Sequence, residues 1–132
     1  MKSLHTAEPI PAEAREEIDA LMQSGDLFRY HRKEDSPVTL LEQEFAEFLG
    51  AKYALAVASC SAALFLSLRA LNLSHNAKVL IPAFTFAAVP SSVVHANCVP
   101  VLVEVADNYR IDLADFEAKF TDDIEAVLIS HM

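Results

Sequence analysis

Between residues 79 and 103 the chain has no Asp, Glu, Lys or Arg. So long an uncharged run has few possible fates. A membrane-spanning helix needs about 20 consecutive apolar residues, and by length alone this run would serve. Pro82, Pro90 and Pro100 interrupt it, with His95 and Asn97 between them. Proline inside a helix removes a hydrogen bond and clashes with the preceding turn. The run therefore reads as strand, helix and strand, buried on all sides. Lys78-Val79-Leu80-Ile81 forms one strand, a helix spans about 86–96, and 99–105 forms the next strand. Pro90 is tolerable in that helix only near its first turn.

The neighbouring segments continue the theme. Residues 53–58, Tyr-Ala-Leu-Ala-Val-Ala, predict a short apolar strand. From 61 to 73 the residues Ala62, Ala63, Leu64, Phe65, Leu66, Leu68, Ala70 and Leu71 are apolar nearly all round a helix. A helix without a polar face must lie between layers. Further on, Asp107-Asn108 turns the chain, Asp112 caps a helix through about Phe120, and 124–130 reads as a last strand ending at His131. Two helices precede all this. Pro11 opens the first, with Ala14, Ile18, Leu21 and Met22 in one stripe and Gly25 just past its end. Ser36-Pro37 opens the second, with Leu41, Phe45, Phe48 and Leu49 set against Glu42, Glu44 and Glu47, and Gly50 closing it.

The order after residue 50 is β-α-β-α-β-α-β. Such alternation predicts an α/β fold with a mostly parallel sheet, helices on both faces and right-handed crossovers. We divide the chain into 1–35, an N-terminal helix and irregular loop, and 36–132, the α/β part. Ligands of such sheets sit beyond the carboxyl ends of the strands. Two stretches fall there: Ser59-Cys60-Ser61 and Pro82-Ala83-Phe84-Thr85-Phe86.

Composition excludes several functions. A net charge of −9 argues against nucleic acid and against an anionic membrane surface. Two cysteines, Cys60 and Cys98, make neither a metal-ligand spacing nor a C-x-x-C pair, which fits a reducing, cytoplasmic setting and no metal. Two glycines, Gly25 and Gly50, leave no glycine-rich phosphate loop. The first ten residues lack the apolar stretch of a signal peptide.

An anion at a helix start is stabilised by unpaired amides and by the helix dipole. Ser59, Cys60 and Ser61 are small enough to let a phosphate reach the backbone. Ordinary capping by Ser59 or Ser61 explains the same residues. Phe84 and Phe86 read either as core or as a platform for a flat ring. Cys60 reads alternatively as a nucleophile, with His5, His31, His75, His95 or His131 as its base. The mixed loop 26–35 is either a solvated connection or a segment reaching an active site, with Arg29 or Tyr30 on substrate.

Set in order, these blocks resemble the DegT/StrS family of sugar aminotransferases. The family's pattern is close to V-x-S-G-T-A-A-L-x-L-A-L-x-A-L, then D-E-V-I-x-P-x-x-T-F-x-A-T, then G-A-x-P-V-F-V-D-V. The chain has Val57-Ala58-Ser59-Cys60-Ser61-Ala62-Ala63-Leu64, then Lys78-Val79-Leu80-Ile81-Pro82-Ala83-Phe84-Thr85-Phe86-Ala87-Ala88, then Asn97-Cys98-Val99-Pro100-Val101-Leu102-Val103-Glu104-Val105. Leu41-Glu42-Gln43-Glu44-Phe45-Ala46 resembles the family's L-E-x-E-F-A. The resemblance implies the N-terminal portion of the large domain of the aspartate-aminotransferase-like fold (fold type I), with pyridoxal 5'-phosphate as cofactor. Carried over by position, the amides of Cys60, Ser61 and Ala62 take the cofactor phosphate, the Ser61 hydroxyl helps, and Phe86 stacks on the pyridine ring. It further implies transfer of an amino group from an amino acid to a nucleotide-linked keto-sugar, in a homodimer whose 28–33 loop contributes to the neighbour's site.

The chain departs from the pattern at Cys60 and Asn97, where the family has glycines, and at Ser61, where it has threonine. The cysteine narrows the cradle unless its φ is negative; asparagine is the next best residue for positive φ. The family's Schiff-base lysine, and the acid beside the ring nitrogen, lie after the stretch ending at His131. Lys2, Lys33, Lys52, Lys78 and Lys119 match no such motif. The expectation is a piece of a longer enzyme, a truncated product or one part of a split protein, with no catalytic residue of its own and poor folding alone. A non-catalytic pseudoenzyme or regulatory module of the same fold stays open.

Overall fold

The computed structural model describes residues 7–29 and 34–130. Contacts divide the chain into two compact units, 1–56 and 57–132.

The first unit holds two helices, α1 (Ala12–Ser24) and α2 (Pro37–Leu49). Gly25 and Gly50 terminate them with φ of 69° and 66°, a conformation that costs glycine little. Ser36 caps α2: its hydroxyl accepts the Thr39 amide at 3.2 Å. Lacking buried residues in α1 and having only Ala46 buried in α2, these helices leave much of their apolar stripes exposed.

The second unit carries α3 (Cys60–Ala70), β1 (Lys78–Pro82), α4 (Ala88–His95), β2 (Val99–Val103), α5 (Leu113–Lys119) and β3 (Ile124–Val127). The three strands form one parallel sheet in the order β2-β1-β3. Successive side chains of β1 alternate faces. Val79 and Ile81 meet Leu68 of α3 and Val89 and Val93 of α4, with Ala77, Ala96 and Cys98 completing that core. Leu80 points to the opposite face and is also fully buried. Pro90 is the third residue of α4, where its missing N–H has no helical partner to lose.

Several boundaries differ from the sequence expectation. Residues 53–58 are not a strand, because a strand needs a hydrogen-bonding neighbour and none of the described residues pairs with them. The strand expected over 99–105 stops at Val103, the ladder partner of Pro82. Beyond it, Val105 makes an isolated antiparallel bridge to Ile111 across a turn. The last strand stops at Val127, though the Leu128 amide still donates to Leu80 O at 2.9 Å. Helix α3 begins one residue early, at Cys60, and ends before Asn72, whose φ is 51°. Asn97 has φ 62° and Asn76 has φ 60°, so asparagine takes the left-handed positions as expected at 97.

Acidic side chains pin the ends of the sheet. Lys78, which opens β1, pairs with Asp123, just before β3. Asp115 of α5 accepts Lys119 Nζ at 2.8 Å and the Glu104 amide at 2.7 Å, while Lys119 Nζ also donates to Leu102 O at 2.9 Å. The Lys119 ammonium, then the Glu104 amide, holds the Asp115 carboxyl below its ordinary range; Lys78, then Thr121, does the same for Asp123.

Two expected outcomes follow from this packing. Ile81→Ala, which opens a void in a closed core, should lower the unfolding free energy by about 2–5 kcal/mol. Phe48→Ala, at an 84% exposed residue, should lower it by far less. Equal losses in urea titrations would contradict this placement of the core. For pH, the folded-state carboxyls of Asp115 and Asp123 are depressed, so their contribution is present above about pH 4 and lost as pH falls through the folded values. Urea midpoints should drop below about pH 4, and Asp115→Asn should shallow that drop. A midpoint insensitive to acid would refute it.

Candidate functional site

The first turn of α3 stands at the amino end of an apolar helix. Ser59 caps it: its hydroxyl accepts the Ala62 amide at 3.1 Å, and its carbonyl accepts the Ala63 amide at 3.0 Å. That leaves the amides of Cys60 and Ser61 without an acceptor among the described residues, at the positive end of the helix dipole. The Ser61 hydroxyl is likewise free of any protein partner there, and Ser59, Cys60 and Ser61 are all exposed. Cys60 does not have positive φ, so a cysteine sits at this position without backbone strain. Of the three expected amides, the one on Ala62 is engaged by the Ser59 cap in this arrangement.

A buried side chain fastens the turn. Ser92, in the middle of α4 and 4% exposed, donates its hydroxyl to Ser61 O at 3.4 Å. The loop that enters α4 carries Phe86. Its carbonyl accepts the Val89 amide at 2.9 Å, and its ring is 77% exposed. The structure thus puts the cap turn and the Phe86 loop on two helices packed against each other, within the same unit. Thr85, between the two phenylalanines, buries its hydroxyl with no hydrogen-bond partner among the described residues.

Other expected residues settle differently. Phe84 is neither in the core nor alone: it is 45% exposed and its ring centroid lies 5.1 Å from that of Tyr109. Tyr109 has φ 61°. For an aromatic residue this left-handed conformation is uncommon and costs roughly 1–2 kcal/mol. Nothing in the sequence pointed to it, since the turn residues Asp107 and Asn108 precede it. No hydrogen bond joins Cys60 to His75 or His95 among the described residues, both histidines being exposed. Asp112 is a helix cap, accepting the amides of Ala114 and Asp115. Tyr30, His5, His31 and His131 lie outside the described residues.

In the first unit, Arg29 reaches Glu42 at 2.6 Å, and Glu42 accepts the Ala56 amide at 2.7 Å. Arg29, then that amide, holds the Glu42 carboxyl below its ordinary range. The Leu-Glu motif signalled Glu42 without revealing this role.

No group of three or more His, Cys, Asp or Glu among the described residues could hold a metal ion. No helix among them is long and apolar enough to cross a membrane.

Comparison with known proteins places these features in context. The profile of the DegT/DnrJ/EryC1/StrS aminotransferase family matches residues 9–132. The chain is 34% identical over 123 residues to the spore coat polysaccharide biosynthesis protein SpsC of Bacillus subtilis, which covers 92% of this chain and 30% of SpsC. It is 36% identical over 93 residues to a UDP-N-acetyl-3-dehydro-alpha-D-glucosamine 3-aminotransferase of Acidithiobacillus ferrooxidans, covering 70% of this chain and 25% of that protein. Among solved structures, an aminotransferase from Psychrobacter cryohalolentis superposes with a TM-score of 0.81 at 25% identity, over 92% of this chain and 30% of its own. The pyridoxal-phosphate form of Spr1654 from Streptococcus pneumoniae, a protein assigned as a sugar aminotransferase, superposes with a TM-score of 0.74 at 24% identity, over 92% of this chain and 30% of its own. The fold is therefore that of the type I pyridoxal-phosphate aminotransferases. The chain spans about 30% of the length of SpsC and of the Psychrobacter aminotransferase.

The two serines of the cap turn should separate cleanly by mutation. Ser59→Ala, which removes the cap of α3, should cost about 1 kcal/mol in chemical denaturation. Ser61→Ala, which removes a hydroxyl with no partner among the described residues, should change stability by less than about 0.5 kcal/mol. The reverse order would show that Ser61, not Ser59, caps the helix.

Proposed function

The chain belongs to the DegT/DnrJ/EryC1/StrS aminotransferase family, and on that premise we propose that it forms the cofactor-phosphate portion of a pyridoxal-phosphate-dependent aminotransferase. The observation that carries this reading is the pair of open amides, Cys60 and Ser61, at the start of α3, with the Ser61 hydroxyl beside them. A phosphate dianion placed there meets two unsatisfied donors, a hydroxyl and the helix dipole. The Ala62 amide joins them when the Ser59 hydroxyl turns away. Phe86, exposed at the exit of β1, offers a face for the pyridine ring. The buried, unpartnered Thr85 hydroxyl is consistent with a polar neighbour that these residues do not supply.

When bound, pyridoxal phosphate supplies an electron sink for the carbon that carries the migrating amino group. The residues of this chain bind and orient it. No lysine here matches the family's cofactor lysine, so that residue, and the acid that holds the ring nitrogen protonated, would come from beyond these residues. The substrates are an amino-acid donor and a nucleotide-linked keto-sugar; the name of the Acidithiobacillus relative gives a sugar of the second kind for its own reaction. The whole protein acts in the cytoplasm as a homodimer, without nucleic acid or membrane partners. The acidic composition supports the last two points.

Titration of the intact protein with pyridoxal phosphate, followed by absorbance, tests the site. Wild-type protein should bind, and Ser61→Ala should weaken binding about tenfold, the worth of one hydrogen bond to a charged group. Phe86→Ala should weaken it comparably. Incubation with an amino acid and a nucleotide-linked keto-sugar should yield the amino-sugar. Cofactor binding without amino transfer would favour a non-catalytic module of this fold, and no binding at all would overturn the proposal.

A further inference from the structure

The ring of Phe86 is mostly uncovered, so its own packing does not set its direction. The backbone beneath it does. Two hydrogen bonds anchor that backbone at its ends: the Ala83 amide donates to Val103 O at 2.7 Å, and the Val89 amide donates to Phe86 O at 2.9 Å. Between them the loop has one aromatic contact among the described residues, Phe84 against Tyr109, with centroids 5.1 Å apart and planes tilted by 39°. Thr85 contributes no hydrogen bond from its side chain among the described residues.

Tyr109 is held in place by its own turn. Its amide donates to Ala106 O at 2.9 Å, the Ala106 amide donates to Arg110 O at 2.8 Å, and the Arg110 amide donates to Asn108 Oδ1 at 3.0 Å. The turn puts Tyr109 at a φ of 61°, which asparagine or glycine would adopt more easily. Neither of those residues could reach Phe84 with an aromatic ring. Local conformation therefore disfavours tyrosine at the position where the ring contact is made.

Resting on the function proposed above, we infer that Tyr109 is a positioning residue. Through Phe84 it orients the loop so that the Phe86 ring faces the pyridine ring of the cofactor. Tyr109 itself touches neither cofactor nor substrate in this role.

The left-handed backbone lets positioning be separated from stability. Tyr109→Asn keeps the turn conformation and removes the ring; Tyr109→Phe keeps the ring and removes the hydroxyl. Each is compared with wild type in the intact protein by pyridoxal-phosphate affinity, by the circular dichroism induced in the bound cofactor, and by thermal midpoint. Tyr109→Asn should hold or raise the midpoint while weakening cofactor binding about fivefold, the scale of one aromatic contact, and diminishing the induced signal. Tyr109→Phe should match wild type, and Phe84→Ala should reproduce the Tyr109→Asn cofactor defect. If Tyr109→Asn binds cofactor with wild-type affinity and signal, or weakens binding only in step with a lowered midpoint, the inference is overturned and the proposed function stands. If wild type binds no pyridoxal phosphate, the proposed function falls and takes this inference with it.

Discussion

Burial of β1 is the constraint on which the second unit depends. Val79, Leu80 and Ile81 have no exposed surface. A strand so placed must find partners for both of its hydrogen-bonding edges, because buried amides and carbonyls left unpaired are costly. β2 and β3 supply those edges in parallel register. Parallel neighbours cannot be joined by tight turns, so helices must carry the chain between them. α4 does so between β1 and β2, α5 carries the chain from β2 across to β3, and α3 joins α4 over the Val79 and Ile81 face. The end of β1 at Pro82 is thus a fixed departure point for the loop bearing Phe84 and Phe86.

Charged residues do a different job. Lys78–Asp123 and the Asp115–Lys119 pair sit at strand ends and are partly exposed, so each adds little to net stability. Their effect is on register. Lys78 ties the start of β1 to the segment before β3, and Lys119 reaches a carbonyl of β2. Arg29, Glu42 and the Ala56 amide make a comparable tie within the first unit. In an acidic chain, Lys78, Lys119 and Arg29 thus stand where strands and loops meet.

Much of the architecture was legible because apolar periodicity and helix punctuation are local signals. The uncharged run 79–103 resolved into β1, α4 and β2, with Pro90 inside the first turn as its chemistry demands. Ser36, Ser59 and Asp112 were readable as caps, and all three accept helix amides. Residues 53–58 misled for a physical reason: a short apolar run reports a tendency to be buried and extended, whereas a strand also needs a neighbour. The start of α3 at a turn of small residues was legible, but the engagement of the Ala62 amide by Ser59 was not, since one hydroxyl serves equally well as cap or ligand donor. Tyr109 was invisible, because its conformation runs against its own propensity and its contact with Phe84 exists only in the folded chain.

By itself, the sequence determined which segments are apolar on all sides, where helices start and stop, and which small residues open α3. Those properties follow from each residue and its near neighbours. The ordered blocks also carried the family resemblance that the comparisons show. Only the tertiary structure decided that β1 lies between β2 and β3, that Ser92 fastens the first turn of α3, and that Tyr109 meets the ring of Phe84. These depend on contacts between residues far apart in the chain, and such contacts exist only once the sheet has brought its strand ends together.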